Sequence, residues 1–134
     1  MIFHKYIRNN HLEHRIKYLG FISKEQIGEY WKRQDVYLNL SEYEGLSLAM
    51  LEAMSYGVIP VVTQVSGVDD IIEDGVNGYI YKIDDLDGIA NGIIYLGEHK
   101  ELLEQLGDEI RKTMEKKCDE QDYINFFRNL IIDV

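Results

Sequence analysis

The chain has a single cysteine, Cys118, so no disulfide can close within its 134 residues, which favours a reducing compartment. Cys118 lies in the charged stretch Glu-Lys-Lys-Cys-Asp-Glu and reads as incidental. A single proline, Pro60, excludes long linkers built on that residue. No apolar run approaches the length of a membrane span, and the opening Met-Ile-Phe-His-Lys lacks the apolar core of a signal peptide, so a cytoplasmic location is expected. Positive charge is scarce: 14 basic side chains face 24 acidic ones, a net charge of −10 that repels nucleic-acid phosphates and anionic membrane surfaces. Lys5, Arg8, Arg15, Lys17, Lys32 and Arg33 make the N-terminal third the basic part of the chain. They alternate with acids and apolar residues and read as solvated surface. No nucleic-acid partner is expected. Gly-x-Gly-x-x-Gly, a Walker-type Gly-Lys-Ser/Thr and His-Glu-x-x-His are all missing, which argues against dinucleotide, nucleoside triphosphatase and zinc-hydrolase readings. His11 and His14 stand three apart without Glu or Cys at ligand spacing. The acids Asp69, Asp70, Glu73 and Asp74 lack the alternation of a calcium loop. No metal and no cofactor are expected.

What is present is an ordinary globular composition, 46% hydrophobic, in a length that suits one domain with a real core. Residues 2–10 read as a short helix, and Ile16-Lys17-Tyr18-Leu19 as a strand stopped at Gly20. Ser23 with Gln26 three positions on predicts a capping box for a helix carrying Ile27, Tyr30 and Trp31. A second strand covers residues 35–40, a helix runs from Leu46 to Ser55 with Gly57 as terminator, and Pro60 opens the strand Val61-Val62-Thr63. A helical turn follows at residues 69–72, then the brief strand Tyr79-Ile80-Tyr81. Residues 86–96, 99–117 and 121–132 are helical in pattern, with breaks at Gly97 and near Asp119. Strands alternating with helices, then helices alone, predict an α/β fold with a parallel sheet flanked by helices. The expected organisation is one unit, 1–134, with its sheet part at about 15–82 and a helical tail at about 84–132.

Ligands of open parallel sheets sit outside the carboxyl ends of the strands, and Ser41 to Gly45 falls at such an end. Glu44 and Glu52, eight positions apart, flank a turn at Gly45 that enters the helix. Eight residues at helical rise span roughly 12 Å, about the reach of a sugar joined to a nucleoside through a diphosphate. Free backbone N–H groups at the helix start would face any phosphate between the acids. Paired glutamates near one helix are ordinarily solvated decoration. Here Leu46, Leu48, Met50, Leu51 and Met54 make the helix largely apolar, so Glu52 is expected on a mostly buried element, where an acid needs a partner such as a ribose diol.

Leu19-Gly20-Phe21-Ile22, Tyr30 to Asp35, Ser41-Glu42-Tyr43-Glu44-Gly45, Leu51-Glu52-Ala53-Met54, Gly57-Val58-Ile59-Pro60-Val61-Val62, Ser66-Gly67 and Asp74-Gly75-Val76-Asn77-Gly78 follow in order. Together they resemble the C-terminal, donor-binding half of the family 4 retaining glycosyltransferases, of GT-B fold and Rossmann-like sheet. The resemblance covers roughly residues 17–81 and gains weight from the ordered series, the Glu-x7-Glu spacing being weak alone. It implies that Glu44 lies beside the transferred sugar as the catalytic-site acid. The amides of Gly45, Leu46 and Ser47 would face sugar and diphosphate, and Glu52 would hold the ribose hydroxyls. The family commonly has glycine at Ser47, proline at Ala49 and Leu40, and Gly-Gly at Ser66-Gly67.

The family also carries an N-terminal acceptor-binding domain, and an Arg and a Lys that neutralise the donor diphosphate. No residue here matches either cation, so this chain reads as the incomplete C-terminal half of a GT-B enzyme. Turnover by it alone is not expected, because electrostatic stabilisation is usually the largest catalytic term. The intact enzyme would move a sugar from a nucleotide sugar to an acceptor with retention, without metal, in the cytoplasm or at the membrane periphery. Two further strands would normally separate the strand at residues 16–19 from that at 36–40. The two are therefore expected either to pair directly or to leave edges through which two chains form a homodimer. The rival readings are a non-catalytic nucleotide-sugar-binding or scaffold subunit that needs a partner chain, and a structural α/β domain that has lost its ligand.

Overall fold

A computed structural model of the chain describes residues 1–43 and 47–117. At its centre is strand β2 (Ile59–Thr63), whose five residues are all buried. β1 (Val36–Asn39) and β3 (Tyr79–Tyr81) lie on either side, both parallel to it, in the spatial order β1-β2-β3. Val36 pairs with Ile59 and Leu38 with Val61 on one side, and Val61 pairs with Tyr79 on the other. A parallel strand buried on both faces reads as a continuous apolar run, as Ile-Pro-Val-Val does. Pro60 lies within this strand rather than ahead of it. The Ile59 N–H bonds Asp35 O on the β1 side, so the next nitrogen, that of Pro60, faces the β3 side. Pairing with β3 begins only at Val61, so the missing donor breaks no ladder.

Helices supply the layers. α3 (Leu48–Ser55) buries Met50, Leu51, Ala53 and Met54 and packs against β2 and α5. It ends in a Schellman motif: Gly57 N–H bonds Met54 O and Val58 N–H bonds Ala53 O, with Gly57 at φ +77°. That turn aims the chain straight into β2. α4 (Leu86–Glu98) starts at Asp85, whose carboxylate accepts the Gly88 N–H at 3.0 Å, and continues through Gly97, where a break was expected. α5 (Lys100–Lys117) buries Leu106, Ile110 and Met114 at four-residue intervals, the spacing of one helix face. α1 (Ile2–Asn9) and α2 (Lys24–Trp31) precede the sheet, and a 3-10 turn (Val68–Asp70) follows β2.

Three expectations are corrected. Residues 16–19 form no strand, and they do not meet β1. A strand needs a ladder partner, and β1 is bonded to β2 alone among the described residues. The segment instead lies beside α1, with the rings of Phe3 and His4 edge-on to Tyr18. Ile16, Tyr18, Leu19 and Phe21 remain exposed. Ser23 does precede α2, but its side chain makes no capping bond; Gln26 and Ile27 N–H bond its backbone carbonyl. The helix expected at 121–132 and Cys118 lie outside the described residues.

Candidate functional site

The carboxyl ends of β1 and β2 lie side by side because the strands are parallel and paired. Two loops leave that edge. One runs from residue 40 to Ser47 and enters α3; the other carries Ser66 and Gly67 into the 3-10 turn. Sequence and topology thus bring both loops to one end of the sheet, where open α/β folds take their ligands.

The first loop is tied at its start. Asn39 Oδ1 accepts the Ser41 N–H at 3.0 Å and the Ser41 hydroxyl at 2.6 Å. The Thr63 hydroxyl, at the end of β2 and 1% exposed, donates to Ser41 O at 2.6 Å. Burying a hydroxyl is tolerable only when it is bonded, and this bond satisfies it. At the far end Ser47 is the N-cap of α3: its backbone is extended and its Oγ accepts the Met50 N–H at 3.2 Å. Ser47 Oγ also lies 3.1 Å from Tyr37 Oη, which receives the Asn39 Nδ2 donor at 3.2 Å.

Of the sequence-derived site residues, Glu44, Gly45 and Leu46 lie outside the described residues. Ser47 is half-buried at the helix start, where free N–H groups collect. Glu52 is exposed, which corrects the expectation of an acid on a buried element. Residues 50, 51, 53 and 54 turn inward, so at 100° per residue position 52 points outward with Leu48 and Ser55. The apolar content of the helix misled, because Leu48 is itself 55% exposed. An interior charge therefore gives no reason for a partner at Glu52. Tyr43 is 94% exposed. Sequence reasoning missed Tyr37, Asn39 and Thr63. Their signal was polar atoms placed in otherwise apolar strands, Val-Tyr-Leu-Asn and Ile-Pro-Val-Val-Thr.

No helix among the described residues is long and apolar enough to cross a membrane. A family model described as "Glycosyl transferases group 1" matches residues 3–113. The N-acetyl-alpha-D-glucosaminyl L-malate synthase of Bacillus anthracis is 30% identical over 128 residues, 96% of this chain and 33% of that protein. S. aureus TarM, solved in a complex that contains UDP, superposes with a TM-score of 0.83 at 25% identity, over 95% of this chain and 26% of TarM. The C-terminal domain of the group 1 glycosyl transferase LpcC of Francisella tularensis superposes with a TM-score of 0.77 at 23% identity, over 85% of this chain and 59% of that one. The chain spans between 19% and 34% of the length of the curated relatives compared with it. Its three-stranded parallel sheet with flanking helices matches the C-terminal domains of GT-B glycosyltransferases. The chain belongs to the glycosyl transferases group 1 family.

Proposed function

We propose that this chain is the nucleotide-sugar-binding unit of a glycosyltransferase whose intact form transfers the sugar to an acceptor with retention of configuration. The observation that carries the reading is the tethered loop at the carboxyl end of β1, running into α3 with Ser47 at its start and Glu52 on its open face. Glu44 is the acid beside the transferred sugar. The backbone N–H groups of Gly45, Leu46 and Ser47 serve the sugar and diphosphate, since a helix start favours anions. The Glu52 carboxylate accepts both ribose hydroxyls. The UDP held by TarM supports the donor class. Helix start and amides handle the diphosphate without a metal. Alone, this chain binds the donor weakly and does not turn it over, because the cations and the acceptor-binding domain belong to the rest of the enzyme. The setting is the cytoplasm, at the membrane periphery in the intact enzyme.

The side of β1 away from β2, which pairs with no strand among the described residues and has Leu38 and Leu40 exposed beside it, favours a second reading. In it the chain is a non-catalytic nucleotide-sugar-binding or scaffold subunit whose edge is covered by a partner chain or a second copy. Titration with UDP, GDP and ADP, followed by amide NMR shifts, tests the first reading. One nucleotide should perturb Ser47 and Glu52, and Glu52→Gln should weaken it about tenfold, the size expected for a hydrogen bond to a charged group. No perturbation by any of the three rejects donor binding by this chain. Light scattering across a hundredfold concentration range separates monomer from edge-paired dimer.

A further inference from the structure

Four hydrogen bonds from three strand side chains meet the flanks of the donor loop, and none was foreseen from the helix or the acid pair. Tyr37 and Asn39 stand two apart on β1, so both side chains leave the same face of the sheet. Tyr37 Oη lies between Asn39 Nδ2, at 3.2 Å, and Ser47 Oγ, at 3.1 Å. With its other end, Asn39 Oδ1 takes the Ser41 N–H and hydroxyl. One asparagine side chain thus bonds Ser41 directly and reaches Ser47 through one tyrosine hydroxyl. Thr63 adds an anchor from β2 to the carbonyl of the same Ser41. The first and last residues of the 41–47 stretch are held to one rigid strand.

We propose that Tyr37 and Asn39 are positioning residues: their side chains clamp Ser41 and Ser47 and so fix the two points between which the donor loop is strung. This rests on the donor-site reading above. The chemistry suits the task. All the groups are neutral, so the clamp adds no charge to compete with a diphosphate, and Ser47 is satisfied twice, by Met50 N–H and Tyr37 Oη. A glycine at position 47, which the family commonly has, offers no oxygen to either group. The tyrosine hydroxyl then reaches the start of α3 only because this chain carries serine there, its bond from Asn39 Nδ2 being independent of that residue. Holding both loop ends before the ligand arrives removes ordering cost from binding, which is how preorganisation raises affinity. The Tyr37 ring is itself set by its edge contact with Trp31, centroids 6.0 Å apart, so the hydroxyl is aimed from a fixed base.

The test is Tyr37→Phe in the whole chain, which removes one oxygen and keeps the ring. Amide hydrogen exchange without ligand should accelerate at least fivefold at Ser47 to Met50 while β2 is unchanged. UDP affinity should fall threefold or more. Ser47→Ala, which also removes the cap on the Met50 N–H, should accelerate exchange at least as much, and adding Tyr37→Phe to it should change nothing further. Ser47→Thr, which keeps a hydroxyl, should restore slow exchange. Unaltered exchange in Tyr37→Phe, or full additivity of the pair, overturns the clamp. Should Tyr37→Phe unfold the chain, Thr63→Val gives the parallel readout at Ser41 to Tyr43. If the unaltered chain binds no UDP, the donor reading fails, and the exchange comparison still decides whether the clamp exists.

Discussion

Replacing Gly57 by alanine tests whether the end of α3 is placed by backbone contact with α5. Gly57 has φ +77°, where a side chain costs about 1–2 kcal/mol. An added Cβ would also overlap the Arg111 guanidinium and sit 3.1 Å from Gly107 O. The arginine can swing away, losing its 3.3 Å bond to Tyr56 O. The Gly107 carbonyl belongs to α5 and yields only if that helix moves, an overpacking cost of about 1–3 kcal/mol. The two costs together come to about 2–5 kcal/mol. Gly75 is the control: it has φ +79°, but no atom lies within 4 Å of where an added methyl would sit. Gly75→Ala should therefore cost only the backbone share, about 1–2 kcal/mol. Urea melts followed by circular dichroism would show the midpoint falling about twice as far for Gly57→Ala, with unchanged slope. Equal losses at the two sites would refute the claim that close approach of α3 and α5 fixes this corner.

Two further outcomes follow from buried groups. Asn77, 5% exposed, accepts the Glu73 N–H at 2.8 Å and donates to Ile71 O at 3.1 Å, so Asn77→Ala orphans both and should destabilise by about 2–4 kcal/mol in the same melts. Burial, aided by nearby Asp74, raises the phenol pKa of Tyr81, and burial with Tyr95 and Asp74 raises that of Tyr79. The folded state then holds these protons above pH 10 while the unfolded chain releases them, so stability is intact below that pH and declines as pH rises through the folded values. Tyrosinate absorbance should show these two phenols titrating above the others, with the late fraction reduced in Tyr81→Phe; titration at the ordinary value counters the assignment.

The sheet was legible where strands are apolar and end on turn residues: residues 35–40, 61–63 and 79–81 locate β1, most of β2 and β3. The four-residue spacing of Leu106, Ile110 and Met114 marks α5 in the same way. Ile16 to Leu19 has strand composition but is not a strand, because composition reports side-chain preference and a strand also needs a neighbour. Glu52 is expected on a mostly buried element because apolar content counts residues without the angle at which each leaves the helix. The clamp at Tyr37 and Asn39 was invisible for another reason. It depends on which oxygen meets which nitrogen across residues 37 to 63, a matter of register that the pattern of residue types does not encode.

The middle position of β2 has a consequence for the order of assembly. Among the described residues every strand pair includes β2, joined to β1 across 23 residues at Val36 and Ile59 and to β3 across 18 at Val61 and Tyr79. Loop-closure entropy changes by only about 0.2 kcal/mol between those lengths, so neither pairing is favoured by proximity. The choice falls to burial, and the β1 crossover is made by α3, the helix with four buried residues. The β1-α3-β2 unit is therefore the expected folding nucleus, and the loop that would receive the sugar donor lies inside the first piece of the sheet to form.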